Sequence, residues 1–156
     1  MLITSLTVKN FRGFEDRTFE FKKPFVIIEG SNGTGKTSIL ESLHYACYLR
    51  SFRTYRGADL LKIGETYFFV GVDFKNSETQ LTHKIQVGCE DNEKNVKFDG
   101  RSIKSYQNIV DSYRVISMSE YDMELIQGSP DARRRYIDAL LVFLDQDSLR
   151  KLKKYR

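Results

Sequence analysis

The chain has 156 residues, long enough for one domain with a real core, and its 25 basic and 21 acidic side chains leave a net charge of +4. No apolar run approaches the length of a membrane span, and the start, Met1-Leu2-Ile3-Thr4-Ser5-Leu6, lacks the basic stretch ahead of an apolar one that marks a signal peptide. Cys47 and Cys89 show no disulfide or metal spacing, so the expected setting is a reducing cytoplasm with no membrane partner.

Residues 2–8 read as a first strand, alternating through Leu6 and Val8, and Asn10-Phe11-Arg12-Gly13-Phe14 as a turn. Residues 17–21 alternate again, with Phe19 and Phe21 on one face. Next comes Pro24-Phe25-Val26-Ile27-Ile28-Glu29, a short apolar run that reads as a buried strand. It leads into Gly30-Ser31-Asn32-Gly33-Thr34-Gly35-Lys36-Thr37, which matches the phosphate-binding pattern G-x-x-x-x-G-K-[ST] at every fixed position. Beyond it, Ile39, Leu40, Leu43 and Cys47 have helical spacing and are expected to face inward.

Strand, glycine loop and helix together point to a chemistry. Glycines let the backbone wrap an anion in conformations that side chains disfavour. The helix starts at the loop, so its unpaired N–H groups and positive dipole end face the phosphates. Lys36 is expected to reach the β- and γ-phosphates of a nucleoside triphosphate, and Thr37 to offer its hydroxyl to Mg²⁺. The candidate nucleotide-binding residues are Gly30, Ser31, Asn32, Gly33, Thr34, Gly35, Lys36, Thr37 and Ser38, with ATP and magnesium as the expected ligands.

Residues 51–64 read as a loop with a short helical turn, rich in Arg and Tyr. Residues 66–75 and 79–88 form two strands around an Asn76-Ser77-Glu78 turn. In the second, His83 shares a row with Leu81, Ile85 and Val87, and reads as a satisfied interior histidine. Asp99-Gly100 suits a two-residue hairpin turn between residues 95–98 and 101–103. A short helix is expected over 105–112, a strand over 113–117 and a helical turn over 122–127, stopped by Gly128. Ser129-Pro130-Asp131 is a helix start, with Ser as cap, Pro in the first turn and an acid near the positive end. That helix runs through Ile137, Leu140, Leu141 and Leu144, and a further basic helix over 148–156 follows, where the chain reads as cut.

The positive charge is uneven. Arg50, Arg53, Arg56 and Lys62 lie close together with only Asp59 between them, and Arg133, Arg134 and Arg135 precede a basic end. Two such clusters suggest a polyanion, with DNA the expected candidate. The competing reading of the clusters is solvated helix faces. Three consecutive helical arginines point about 100° apart, so they cannot all meet one partner. One is expected to pair with an acid such as Asp138.

These pieces resemble the N-terminal part of the RecF family of bacterial DNA replication and repair proteins, ABC-type ATPases related to the structural-maintenance-of-chromosomes proteins. The resemblance is carried by Leu6-Thr7-Val8-Lys9-Asn10-Phe11-Arg12, by the glycine loop with Leu40-Glu41-Ser42-Leu43, and by Ser51-Phe52-Arg53-Thr54. It is carried further by Leu125-Ile126-Gln127-Gly128-Ser129-Pro130 with Arg133, Arg134, Arg135 and Asp138. It implies an α/β fold: lobe I of an ABC/SMC-type P-loop NTPase head, with a mixed sheet that includes antiparallel hairpins and flanking helices. Residues 1–156 are then the N-terminal part of that head, ending near the start of a coiled-coil arm. It also implies that Arg12 lies near the α-phosphate and that residues 52–64 form a lid near the adenine or ribose. ATP is then sandwiched in a homodimer that acts at gapped DNA with RecO and RecR, in repair, recombination and the SOS response. Arg50, Arg53, Arg56, Arg133, Arg134 and Arg135 are the DNA-binding candidates.

No signature motif, Walker B carboxylate, catalytic Glu or switch His of that family stands in the sequence, so no catalytic residue is assigned and negligible hydrolysis by this chain alone is expected. Three other readings remain open: a P-loop kinase of small molecules or nucleotides, an overcoming-lysogenisation-type or other SMC-like ATPase, and a head fragment that binds a protein partner without closing on ATP.

Overall fold

Strand alternation organises the first of two units, Met1–Val115, in the computed structural model; the second is Ile116–Arg156. The structure describes residues 1–91, 93–103, 113, 115–118 and 120–144. The first unit holds β1 (Leu2–Phe11), β2 (Phe14–Glu20), helix α1 (Lys36–Tyr48), a 3₁₀ turn (Gly57–Leu60), β3 (Tyr67–Lys75), β4 (Thr82–Glu90), β5 (Glu93–Phe98) and β6 (Arg101–Ser102). The strands form one sheet in the order β2-β1-β3-β4-β5-β6, and every pairing is antiparallel.

Register brings the apolar rows together. Leu6 stands between Phe19 and Val72, and Val8 faces Val70. Val70 faces Val87, which in turn faces Val96. A slip of one residue would send each of these side chains to the polar side, so the burial pattern itself pins the register. Helix α1 covers the apolar face, where Tyr45 and Phe11 both pack against Phe68 with ring centroids 5.3 and 5.4 Å away. Asp99 and Gly100 take positive φ (47° and 78°), the two-residue turn expected between β5 and β6. His83 is satisfied as expected but only half-buried rather than interior: its Nδ1 lies 2.8 Å from Asp99 Oδ2 and its ring stacks on Phe98.

Four expectations are corrected. Residues 24–29 are not a strand, and Phe25 and Ile27 are 79% and 68% exposed. A strand needs a neighbour for its N–H and C=O groups, and none of the described residues pairs with this run, so the parallel component expected of a mixed sheet does not form among them. The second correction concerns α1: Leu40 is 53% exposed, while Glu41 and Ser42 are fully buried. Leu40 and Leu43 instead line a groove with Ile3, Phe21, Val26 and Ile28. Third, residues 115–117 form no strand; the Tyr48 hydroxyl donates to the Val115 carbonyl (2.8 Å) and accepts from its N–H (3.0 Å), in place of a neighbouring strand. Fourth, β4 begins at Thr82, because Asn76 holds a longer turn by accepting at its Oδ1 from the N–H groups of Glu78 and Thr79.

In the second unit a 3₁₀ turn (Glu120–Met123) leads into the single helical turn α2 (Glu124–Gln127) and then α3 (Pro130–Leu144). Gly128 separates them and Pro130 opens α3, as expected. The expected helices over 105–112 and 148–156 lie outside the described residues. Among the described residues, no helix is long and apolar enough to cross a membrane.

Candidate phosphate-binding site

The glycine loop enters α1 through Gly35, the helix N-cap, at φ 94°. A side chain at Gly35 would be strained at that φ, and it would also collide: its Cβ would lie 2.5 Å from Cζ of Phe14 on β2. Gly35 provides no side-chain cap and no acid stands in the first turn of α1. The helix's own residues therefore leave its positive end uncompensated, which is the physical requirement for anion binding. Gly30 and Gly33 also take positive φ, and Thr34 Oγ1 donates to the Ser31 carbonyl at 2.9 Å. Lys36 folds over the loop, its ammonium donating to the carbonyls of Gly30 and Ser31, both at 2.7 Å. Asn32, Thr34 and Thr37 are exposed, while Ser38 is buried. These residues fit a phosphate chain: a cation over the loop, an open helix start and a loop built on glycine.

Beside the loop lies a charge cluster. Arg12 has a positive φ of 55° at the turn after β1, and its backbone N–H donates to the Leu60 carbonyl. Its guanidinium grips Glu41 of α1 with two bonds, Nε to Oε2 at 2.9 Å and Nη2 to Oε1 at 2.6 Å. A third bond, from Nη1, reaches the Asp59 carbonyl at 2.6 Å. Ser51 Oγ donates to Glu41, and Arg53 approaches it at 3.4 Å. Glu41, Ser51 and Asp59 were not singled out as site residues by sequence reasoning. The expected inward stripe of Ile39, Leu40, Leu43 and Cys47 does not point to Glu41; its place beside the buried His44 and Tyr45 shows only in the folded helix. His44 itself is pushed down to about 4, by burial first and by the charge of Arg50 second.

The DNA-binding candidates separate. Arg50 and Arg56 are exposed, while Arg53 leans on Glu41. Arg133 turns back to donate to the carbonyls of Leu125 and Ile126, closing the end of α2. Arg134 pairs with Asp131 at 3.2 Å, so Asp131 is the acid that meets it. The side chain of Arg135 lies outside the described residues.

A glycine loop opening α1 against this antiparallel sheet defines one lobe of a P-loop ATPase head of the ABC and SMC type. The chain belongs to the AAA domain family, whose model matches residues 5–156. Within that setting its particular likeness is to RecF. It is 38% identical over 141 residues to the DNA replication and repair protein RecF of Chlamydia trachomatis, covering 90% of this chain and 38% of that protein. It is 30% identical over 156 residues to RecF of Natranaerobius thermophilus, covering 99% and 40%. Among solved structures, the recombination mediator protein RecF-ATP of the RecFOR pathway superposes with a TM-score of 0.85 at 30% identity, covering 99% of this chain and 41% of that one. The SMC head domain from Thermotoga maritima shares the fold, with a TM-score of 0.52 at 16% identity over 73% of this chain and 43% of that one. The chain thus spans about two fifths of the length of the RecF relatives it matches.

Proposed function

We propose that this chain is the ATP-binding lobe of a RecF-like DNA repair and recombination protein of the cytoplasm. The observation that carries the reading is the helix start at Gly35, with no side-chain cap and no acid in its first turn, under a loop whose carbonyls hold its lysine. Residues 30–38 cradle the phosphates, and Lys36 exchanges its two carbonyl partners for the β- and γ-phosphates. No cluster of three or more His, Cys, Asp or Glu suited to a metal occurs among the described residues. Thr37 would offer its hydroxyl to a magnesium ion brought in on the nucleotide's phosphates. Arg12 lies toward the α-phosphate, and residues 52–64 cover the nucleoside. The likeness to a RecF structure named for its ATP supports the ligand.

In the intact protein, ATP joins two heads into a dimer that engages single- and double-stranded DNA at gaps, together with RecO and RecR. The test begins with this chain. Titration with a fluorescent ATP analogue and magnesium is expected to saturate, and Lys36→Ala to abolish binding. Phosphate release stays at background, because no residue of this chain is assigned to orient water. Absence of binding at millimolar nucleotide, or turnover that vanishes with Lys36→Ala, refutes the corresponding half of the reading. For the intact protein, light scattering is expected to show a dimer with MgATP and a monomer in the Lys36→Ala variant.

A further inference from the structure

Glu41 has no exposed surface, and nothing in the phosphate-loop pattern gives it a role. A buried carboxylate is tolerated only when it is paired and hydrogen-bonded. Here the partners come from two segments remote in sequence: Arg12 after β1, and Ser51 and Arg53 after α1. The Ser51 hydroxyl also accepts from the backbone N–H groups of Arg53 and Thr54, at 2.8 and 3.2 Å, which fixes the start of that loop. The main chain ties the same segments again, through Arg12 N–H to Leu60 and Lys62 N–H to Asn10.

Two features direct this cluster toward an anion. Two guanidinium groups face the single buried carboxylate of Glu41, which cannot neutralise both by itself. Arg12 spends three N–H donors on Glu41 and Asp59, which leaves two of a guanidinium's five. Glu41 lies four residues beyond Thr37, on the same face of the helix that the loop opens and about 6 Å along its axis. Arg12 is thus clamped to the first turns of that helix with donors to spare.

We propose that Glu41 is the positioning residue of the nucleotide site. It holds the Arg12 guanidinium and the loop over 51–60 in place before nucleotide arrives, so that Arg12 meets phosphate already oriented. The proposal rests on the reading of residues 30–38 as a nucleotide site, and it adds the residue that preorganises that site.

A double-mutant cycle on MgATP affinity tests it. Arg12→Ala and Glu41→Gln are each expected to weaken binding about tenfold, since a glutamine loses the charge-assisted two-point grip. The double variant is also expected to lose about tenfold, because Glu41 acts through Arg12. Independent structural damage would instead multiply to about a hundredfold. Wild-type affinity in Glu41→Gln, or multiplied losses, overturns the proposal. If the wild type itself does not bind MgATP, the nucleotide reading falls and takes this one with it; binding that Lys36→Ala abolishes keeps the two questions apart. Should Glu41→Gln fail to fold, the Arg12 Nε–H resonance of the wild type decides. A sharp signal present without nucleotide, shifting on addition of MgATP, supports preorganisation. A signal absent until nucleotide is added overturns it.

Discussion

Gly35→Ala separates two reasons for a glycine at the mouth of α1. One is the backbone: at φ 94° an L-residue pays about 1–2 kcal/mol. The other is space: the added methyl would stand 2.5, 3.1 and 3.2 Å from three ring carbons of Phe14. That ring is edge-on to Phe19 with centroids 5.6 Å apart, so stepping aside would disturb this pair on β2. Overpacking of this kind costs about 1–3 kcal/mol. The two costs give a destabilisation of about 3 kcal/mol. Urea unfolding followed by circular dichroism measures it, in the wild-type and Phe14→Ala backgrounds. In Phe14→Ala the steric part disappears, and Gly35→Ala should then cost only the backbone part, about 1–2 kcal/mol. An equal penalty in both backgrounds would remove Phe14 from the explanation. No penalty in either would refute the whole argument.

Two further outcomes follow from buried groups on α1. His44 stays neutral in the folded state down to about pH 4, whereas an unfolded histidine takes a proton near 6.5. Because the folded value is depressed, its contribution is present above pH 6.5 and is lost as pH falls toward 4, by about 3 kcal/mol in total. Denaturation at several pH values checks this, and His44→Gln should flatten the dependence; an unchanged slope between pH 6.5 and 4 would contradict it. Tyr48→Phe removes the hydroxyl that serves both polar groups of Val115 and should cost about 1–3 kcal/mol. Hydrogen exchange at the Val115 amide should accelerate in that variant, and wild-type protection would show that the hydroxyl is not its partner.

What could be read from the chain was local. Alternation in β1, β3 and β4 is a period-two signal, the Asp99-Gly100 turn a two-residue one, and the glycine loop an eight-residue one; the strands and the turn form, and the loop opens a helix as expected. The errors have the opposite character. Residues 24–29 have strand composition but find no pairing neighbour among the described residues, and composition carries no information about neighbours. Leu40 and Glu41 exchange places because Arg12, 29 positions earlier, neutralises Glu41 on the inward side. An amphipathic stripe counts any acid as outward, so a salt bridge formed across the fold reverses it. The positive-φ glycines and the helix start were therefore legible, while the bonds that Glu41 makes became visible only with the fold.

The same distinction narrows the nucleic-acid question. Six arginines stand as candidates on charge alone, yet a guanidinium already engaged by protein must release its partner before it meets phosphate. Arg133 holds two carbonyls at the end of α2, and its loss would open that turn before it affected any ligand. Arg53 is shared with the buried carboxylate of Glu41. Among the described residues Arg134 is held by Asp131 in an exposed pair, a contact worth little in water and easily exchanged. Arg50 and Arg56 are exposed and make no side-chain hydrogen bond or ion pair among the described residues. They flank Phe52, Arg53 and the fully exposed Tyr55, in a loop stiffened by Ser51 and Thr54. Among the candidates whose side chains are described, Arg50 and Arg56 are therefore the two that could meet a phosphate without first giving up a protein partner.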